Sequence, residues 1–496
     1  MSFAWNLPLF SIILCLLCAV ISSILRGTAA RRLTLCLSLA VMTMNLYLLI
    51  RLLQTGQSIV YMMGHYPHPW GNEIRIGVLE SLFSTAFALI LGLCVVGGRT
   101  QLLRDLEEKK TNLYYATLDL VLVSLQALCY TNDLFTGYVF IEIGTISACG
   151  ILMIRQIGRT TLAAVRYMIF SLIGSGLFML GLIFLYAVTG HLLMPNLREA
   201  VETLWDSGSY RLPLLTSLCL LVIGLGIKSG LFPFHFWMPD TYGYATPASA
   251  GILSGLISKG YILLLLKIVY DVFGTRVFYS SGVQNLLYGF GVLGMIVGSV
   301  SAMREDDLFR MIAYSSAAQI GYIYMGIGIS AELGILAALF HILTHAFTKP
   351  ALFLAAAQLS DAAQGGRDLE KLQGTAHRNR VAGAAFTLGA LSMIGLPLTM
   401  GFISKYLFAD AALHAGGKLI PTLLALAVST ILNTFYFMRT LIRLYNRPIK
   451  ANSPRVRILT QRSYAAAATV FGMANLTLGI FAQPMLSLLK QGLEQF

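Results

Sequence analysis

Apolar residues along this chain neither alternate nor keep to one helical face; they run on. Pro8 to Leu25 and Leu33 to Ile50 each cover 18 residues without a charge, a length that crosses bilayer hydrocarbon as a helix. Repeating that reading along the 496 residues predicts fourteen helices, near 8–25, 33–53, 79–97, 113–130, 133–154, 163–189, 213–236, 246–270, 284–303, 310–329, 332–359, 381–408, 419–445 and 463–489. No strands are expected. The first run has no basic segment before it and no small-residue cleavage site after it, and Arg26, Arg31 and Arg32 follow, so it reads as a retained span.

Composition agrees. At 57% hydrophobic and 11% charged residues, the chain carries more apolar surface than one water-soluble core can bury, which makes it an all-α polytopic membrane protein. The net charge of +13 is unevenly placed. With the N-terminus outside, 23 of the 35 lysines and arginines fall on inward connections, 8 on outward ones and 4 deep within spans. That bias predicts both termini on the extracytoplasmic side of a prokaryotic-type cytoplasmic (inner) membrane. The most basic connection, Arg439 to Arg462, has seven positive residues and no acid; with no binding module beside it, it faces anionic headgroups rather than nucleic acid. Two outward segments are expected to be structured: Ser58 to Ile76, and Asn196 to Trp205 as a short interfacial helix.

Cysteine adds no chemistry. All seven lie in proposed spans, and Cys15 and Cys18, although spaced C-x-x-C, read as small buried hydrophobes in an apolar helix. No cofactor and no metal is expected in this chain, and redox chemistry is left to partners.

Helices four to eight (113–271) and nine to thirteen (284–445) form blocks of nearly equal length, each with a proline in its fourth helix, Pro233 and Pro397. Five is odd, so tandem five-helix units enter the membrane from opposite sides as inverted repeats, with helices seven and twelve broken. The expected organisation is 1–112, three N-terminal helices; 113–271 and 284–445, the repeats; and 446–496, the basic loop and last helix. Proline removes a backbone donor and frees a carbonyl upstream, which is tolerable in a span only where water or side chains satisfy it.

Seven ionisable residues lie inside spans: Glu142, Lys228, Lys259, His341, His345, Lys349 and Lys405. Each costs on the order of 3 kcal/mol near a bilayer centre, so this many on five spans point to an interior, hydrated path. At about 1.5 Å per residue, Glu142 and Lys228 lie roughly 14 and 22 Å from the outer ends of their helices, and Lys259 roughly 20 Å from its inner end. All three share the middle third. His341, His345 and Lys349 recur every four residues and share one face, and Lys405 falls toward the outer side. A lysine loses its proton when desolvated and regains it beside a carboxylate, so motion of Glu142 relative to Lys228 would switch proton affinity.

The stretches "KSGLFPFHFWMPDTYGYATPASAGILSGLISKGY", "NDLFTGYVFIE", "DLFRMIAYSSAAQIGY", "FHILTHAFTKPALFLAA" and "GLPLTMGFISK" together resemble the antiporter-like subunits shared by NADH:quinone oxidoreductase (complex I), membrane-bound hydrogenases and Mrp-type sodium/proton antiporters. The resemblance implies that Glu142 pairs with Lys228, that Lys259 links two half-channels, and that His341, His345 and Lys349 pass protons to Lys405, where some members carry glutamate. It implies further membrane subunits, other antiporter-like ones included, and peripheral redox subunits as partners, with protons alone or protons and Na+ as the cargo. Glu80 stands where the family often has aspartate, and Asp119 has no expected role. Two functions follow: the ion-pumping subunit of a redox-driven translocase, or a subunit of an Mrp-type antiporter driven by ion gradients.

Overall fold

The computed structural model describes residues 3–66, 71–329, 332–446 and 462–495. Pro67, Pro69 and Trp70, and 447–461 of the basic loop, lie outside the described residues. Helices are numbered by span: α1 Leu7–Ile24, α2 Gly27–Thr55, α3 Val78–Gly97, α4 Thr111–Tyr130, α5 Leu134–Met153, α6 Gly158–Thr189, α7 Arg211–Ser229 with a second half Met238–Tyr244, and α8 Pro247–Ser280. Then follow α9 Val283–Arg304, α10 Leu308–Gly328, α11 Glu332–Ala362, α12 Arg380–Ile394 with a second half Met400–Leu413, α13 Leu419–Tyr445 and α14 Arg462–Ile480. Among the described residues, twelve spans are long and apolar enough to cross a membrane. The interrupted α12 and the 21-residue α10 lie outside that set. Ser315, Ser316, Gln319 and three tyrosines make α10 less apolar, which its burial tolerates: every residue but Arg310 and Tyr314 is buried.

Burial sorts the helices. The apolar windows of α8 and α11 are 100% and 94% buried, against 39% for α2, α6 and α9. The interior of the bundle is therefore α8, α10 and α11, with the other helices around them. Close approach of α8 to α11 depends on Gly255, where an added Cβ would stand 2.7 Å from Pro350.

Three sequence expectations are corrected. An antiparallel two-stranded hairpin, β1 Ile59–Met62 with β2 Glu73–Ile76, forms in the outward segment, because four-residue strands between polar turns carry too little periodicity to stand out beside long apolar runs. The last span ends at Ile480, and Ala482–Leu493 is a separate helix packed on α3. The seventh span runs on to Tyr244 as a second half-helix. The expected surface helix is present as Met194–Ser207.

Glu80 acquires a role. Its Oε2 accepts from the Gly77 amide at 2.9 Å, capping α3, and its Oε1 lies 3.6 Å from Lys267 Nζ. Lys267, near the end of α8, is 1% exposed and donates to the carbonyls of Cys129 and Thr131, each at 2.8 Å. One ammonium thus ties α8 to the end of α4 and to the start of α3. Removing one partner of a buried pair costs about 3–5 kcal/mol. Lys267→Met is expected to lower the thermal midpoint of the purified protein and its assembled yield, and Glu80→Gln, which still accepts from Gly77, to lower them less. Equal midpoints for Lys267→Met and the parent would refute the clamp.

Candidate functional site

Both broken helices stop at a glycine rather than at the proline. Gly230 (φ 81°) follows α7 and Gly395 (φ 93°) follows the first half of α12, a left-handed conformation that glycine adopts without strain. Pro233 and Pro397 come after, where the chain is already out of helix. The freed carbonyls are met by side chains: Trp237 Nε1 donates to Ile227 O at 3.3 Å and Lys405 Nζ to Ile394 O at 2.6 Å. The second half of α7 is held by Asp240, whose two oxygens take Arg166 of α6 (2.5 Å) and Arg310 of α10.

Lys228 stands in the last turn of α7, 1% exposed. Its Nζ is 3.5 Å from Glu142 Oε1 on α5, donates to Thr145 Oγ1 at 2.7 Å, and lies 5.6 Å from the centre of the Tyr261 ring. Ser175 of α6 also donates to Glu142 Oε1. Glu142 departs from the fully interior position expected of it: 24% of its side chain is exposed on the flank of the bundle, since α5 is a peripheral helix with half of its apolar window unburied.

Lys259 is wholly buried on α8. The five residues Leu253–Ile257 before it form a π-helical turn, whose widened spacing leaves backbone acceptors out of register. Lys259 Nζ uses one of them, Ser254 O, together with Ser258 Oγ at 3.0 Å. Ser254 Oγ in turn meets Ser316 Oγ of α10 at 2.9 Å. The neighbouring Ser315 accepts from Lys349 Nζ at 2.7 Å and from Tyr436 Oη at 3.0 Å. The adjacent serines of α10 thus contact, one each, the α8 turn that holds Lys259 and the α11 lysine.

His341 and His345, 2% and 0% exposed, have ring centres 6.5 Å apart. His341 Nδ1 shares a 2.5 Å hydrogen bond with Ser404 Oγ, next to Lys405, and its ring lies 5.4 Å from that of Tyr322. Lys405 Nζ sits 5.7 Å from the same tyrosine ring and donates to Thr430 Oγ1 at 2.8 Å. Among the described residues, His341 Nε2, both nitrogens of His345, Tyr322 Oη and Gln319 Nε2 are buried without a hydrogen-bond partner. Such groups cost about 1–3 kcal/mol each when left unmet, so the heart of α10 and α11 is polar well beyond what its own side chains satisfy.

The structure pairs Glu142 with Lys228, sets Lys259 near Lys349 and His345, and joins His341 to Ser404 beside Lys405. The links were not foreseen: Thr145, Ser175, Ser254, Tyr261, Ser315, Ser316, Tyr322 and Thr430. The adjacent serines in "MIAYSSAAQIGY" were the nearest signal, but hydroxyls are common in buried helices and bond to their own backbone, as Ser316 also does at 3.0 Å. Asp119 lies apart from the row, accepting from Ser22 Oγ at 2.7 Å between α4 and α1. The seven cysteines are all free, and no group of three or more histidine, cysteine or acidic residues fit to hold a metal occurs among the described residues.

Two interrupted helices, with bases and one carboxylate stranded between spans, define a multi-pass helical membrane protein of the kind that carries ionisable groups across its interior in series. The particular family follows from likeness in sequence. Residues 131–432 match the family described as NADH:quinone oxidoreductase/Mrp antiporter, TM, and the chain is 32% identical to the NADH-quinone oxidoreductase subunit N of Desulforudis audaxviator over 97% of both chains. This chain belongs to that family. Its fold is similar to a chain of an archaeal respiratory complex, the membrane-bound sulfane sulfur reductase (TM-score 0.86, 24% identity, 98% of this chain and 96% of that one). It is likewise similar to a chain of the Mrp complex from Dietzia sp. (TM-score 0.85, 22% identity, 99% and 97%).

Proposed function

We propose that this chain is the antiporter-like, proton-translocating membrane subunit of a redox-driven respiratory complex. Protons move along Glu142, Lys228, Lys259, Lys349, His345, His341 and Lys405. The observation that carries the proposal is the buried polar cluster in which Lys259 meets Ser254 O, Ser254 Oγ meets Ser316 Oγ and Lys349 meets the neighbouring Ser315, placing hydrogen-bonding groups of α8, α10 and α11 side by side. Orphaned nitrogens on His341 and His345 support an interior that holds water. The pair Lys228–Glu142 is the gate: with the carboxylate near, the ammonium is favoured, and with it withdrawn, desolvation favours the neutral amine. Exposure of Glu142 on the flank suits control by an adjoining membrane subunit of the same complex. The two repeats, 113–271 and 284–445, supply the two half-channels, all fourteen helices cross the inner membrane, and both termini lie outside. The chain itself holds no cofactor.

Full-length likeness to an NADH-quinone oxidoreductase subunit supports redox drive. That the family also takes in Mrp antiporters favours the second reading, an antiporter subunit driven by an ion gradient alone. Affinity purification from the native membrane separates them. Redox drive predicts co-purifying iron–sulfur proteins with flavin or nickel proteins, and donor-dependent proton uptake in vesicles; recovery of small membrane proteins alone, with proton uptake driven only by a sodium gradient, would refute it.

A further inference from the structure

Away from the row, a groove of about 440 Å³ runs between α11, α12 and α14. We propose that it binds one anionic phospholipid, with the phosphate on Arg380 and Arg462 and an acyl chain lying along the groove. The walls are apolar, formed by Phe347, Ala385, Leu388, Ala468, Phe471 and Gly472; the small residues keep α12 and α14 from closing it. α12 and α14 ascend in parallel. A Cβ on Gly472 would stand 3.3 Å from Leu388 Cδ2, and Asn475 Nδ2 donates to Ser392 Oγ at 3.0 Å. The same register brings Arg462, the first residue of α14, level with Arg380, the first residue of α12.

Both arginines are exposed, and neither forms an ion pair with another described residue, whereas Arg367, Arg310 and Arg439 are all paired. Among the described residues, the mouth of the groove therefore carries unpaired positive charge at the ends of two membrane helices. From Arg380 to Gly389 the groove extends about 13 Å at 1.5 Å per residue, so it runs lengthwise down the flank of α12. At the deep end Asn475, 4% exposed, spends its amide nitrogen on Thr348 and Ser392 while its Oδ1 has no partner among the described residues.

The test uses the intact complex, purified and exchanged into nanodiscs of mixed phosphatidylglycerol and phosphatidylcholine, with tightly retained lipid counted by native mass spectrometry. Ala468→Phe fills the groove and is expected to release one lipid per complex; Ala384→Leu is the milder variant should the first fail to assemble. Arg380→Gln with Arg462→Gln is expected to reduce the preference for phosphatidylglycerol at that site by about thirtyfold while the lipid count is kept. Unchanged lipid counts in both filling variants, an unchanged preference in the double glutamine variant, or a map of the complex with a partner's helix in the groove would each overturn the assignment.

Discussion

Lys228→Met abolishes donor-driven proton uptake in vesicles containing the assembled complex, to less than about one tenth of the parent rate, a barrier increase of at least ~1.4 kcal/mol. Methionine matches lysine in length and flexibility, so the packing beside Tyr261 and Thr145 survives. Glu142 keeps its bond from Ser175 and a share of solvent, which limits the penalty for the missing ammonium, and assembly is expected to hold. Lys228→Arg sharpens the result. A guanidinium keeps the positive charge opposite Glu142 but does not release its proton in proteins, so the arginine variant also fails if Lys228 is a proton carrier and works if only its charge matters. Full uptake by the methionine variant at normal assembly removes Lys228 from the path.

The second large effect is at Lys405. Its ammonium holds two things at once, the Ile394 carbonyl freed by the break in α12 and Thr430 of α13. Lys405→Met leaves a carbonyl unmet at a cost of about 1–3 kcal/mol, so lost uptake in that variant alone would not distinguish a proton step from a slackened break. Lys405→Arg keeps a donor for Ile394 O and withholds the proton. The expected outcome is a thermal midpoint within a few degrees of the parent together with uptake reduced to background. Parental uptake in Lys405→Arg would show that this residue braces the break and carries no proton.

The residues differ in how much of this they announce. Lys228, Lys259, His341, His345, Lys349 and Lys405 were legible because each stands in an apolar run, where an ionisable side chain is costly enough to need a reason. The breaks were legible as prolines, although the glycines before them end the helices. Lys267 and Glu80 were not, since both sit at helix ends where a charge normally faces water, and only the packing of α3, α4 and α8 shows that these ends are buried. The serines of α10 were hidden for the opposite reason, being unremarkable in any buried helix.

By itself, the sequence determined that the chain is a membrane bundle and which side chains are out of place in it, because the cost of a charge in hydrocarbon is a property of the residue and its immediate neighbours along one helix. It did not determine which charges meet. That was decided by the tertiary structure, where Gly255 against Pro350 brings α8 to α11 and the buried α10 sets Ser315 and Ser316 between them. Contacts between helices depend on which faces turn toward each other, and an apolar helix that is buried all round carries no stripe from which its facing could be read.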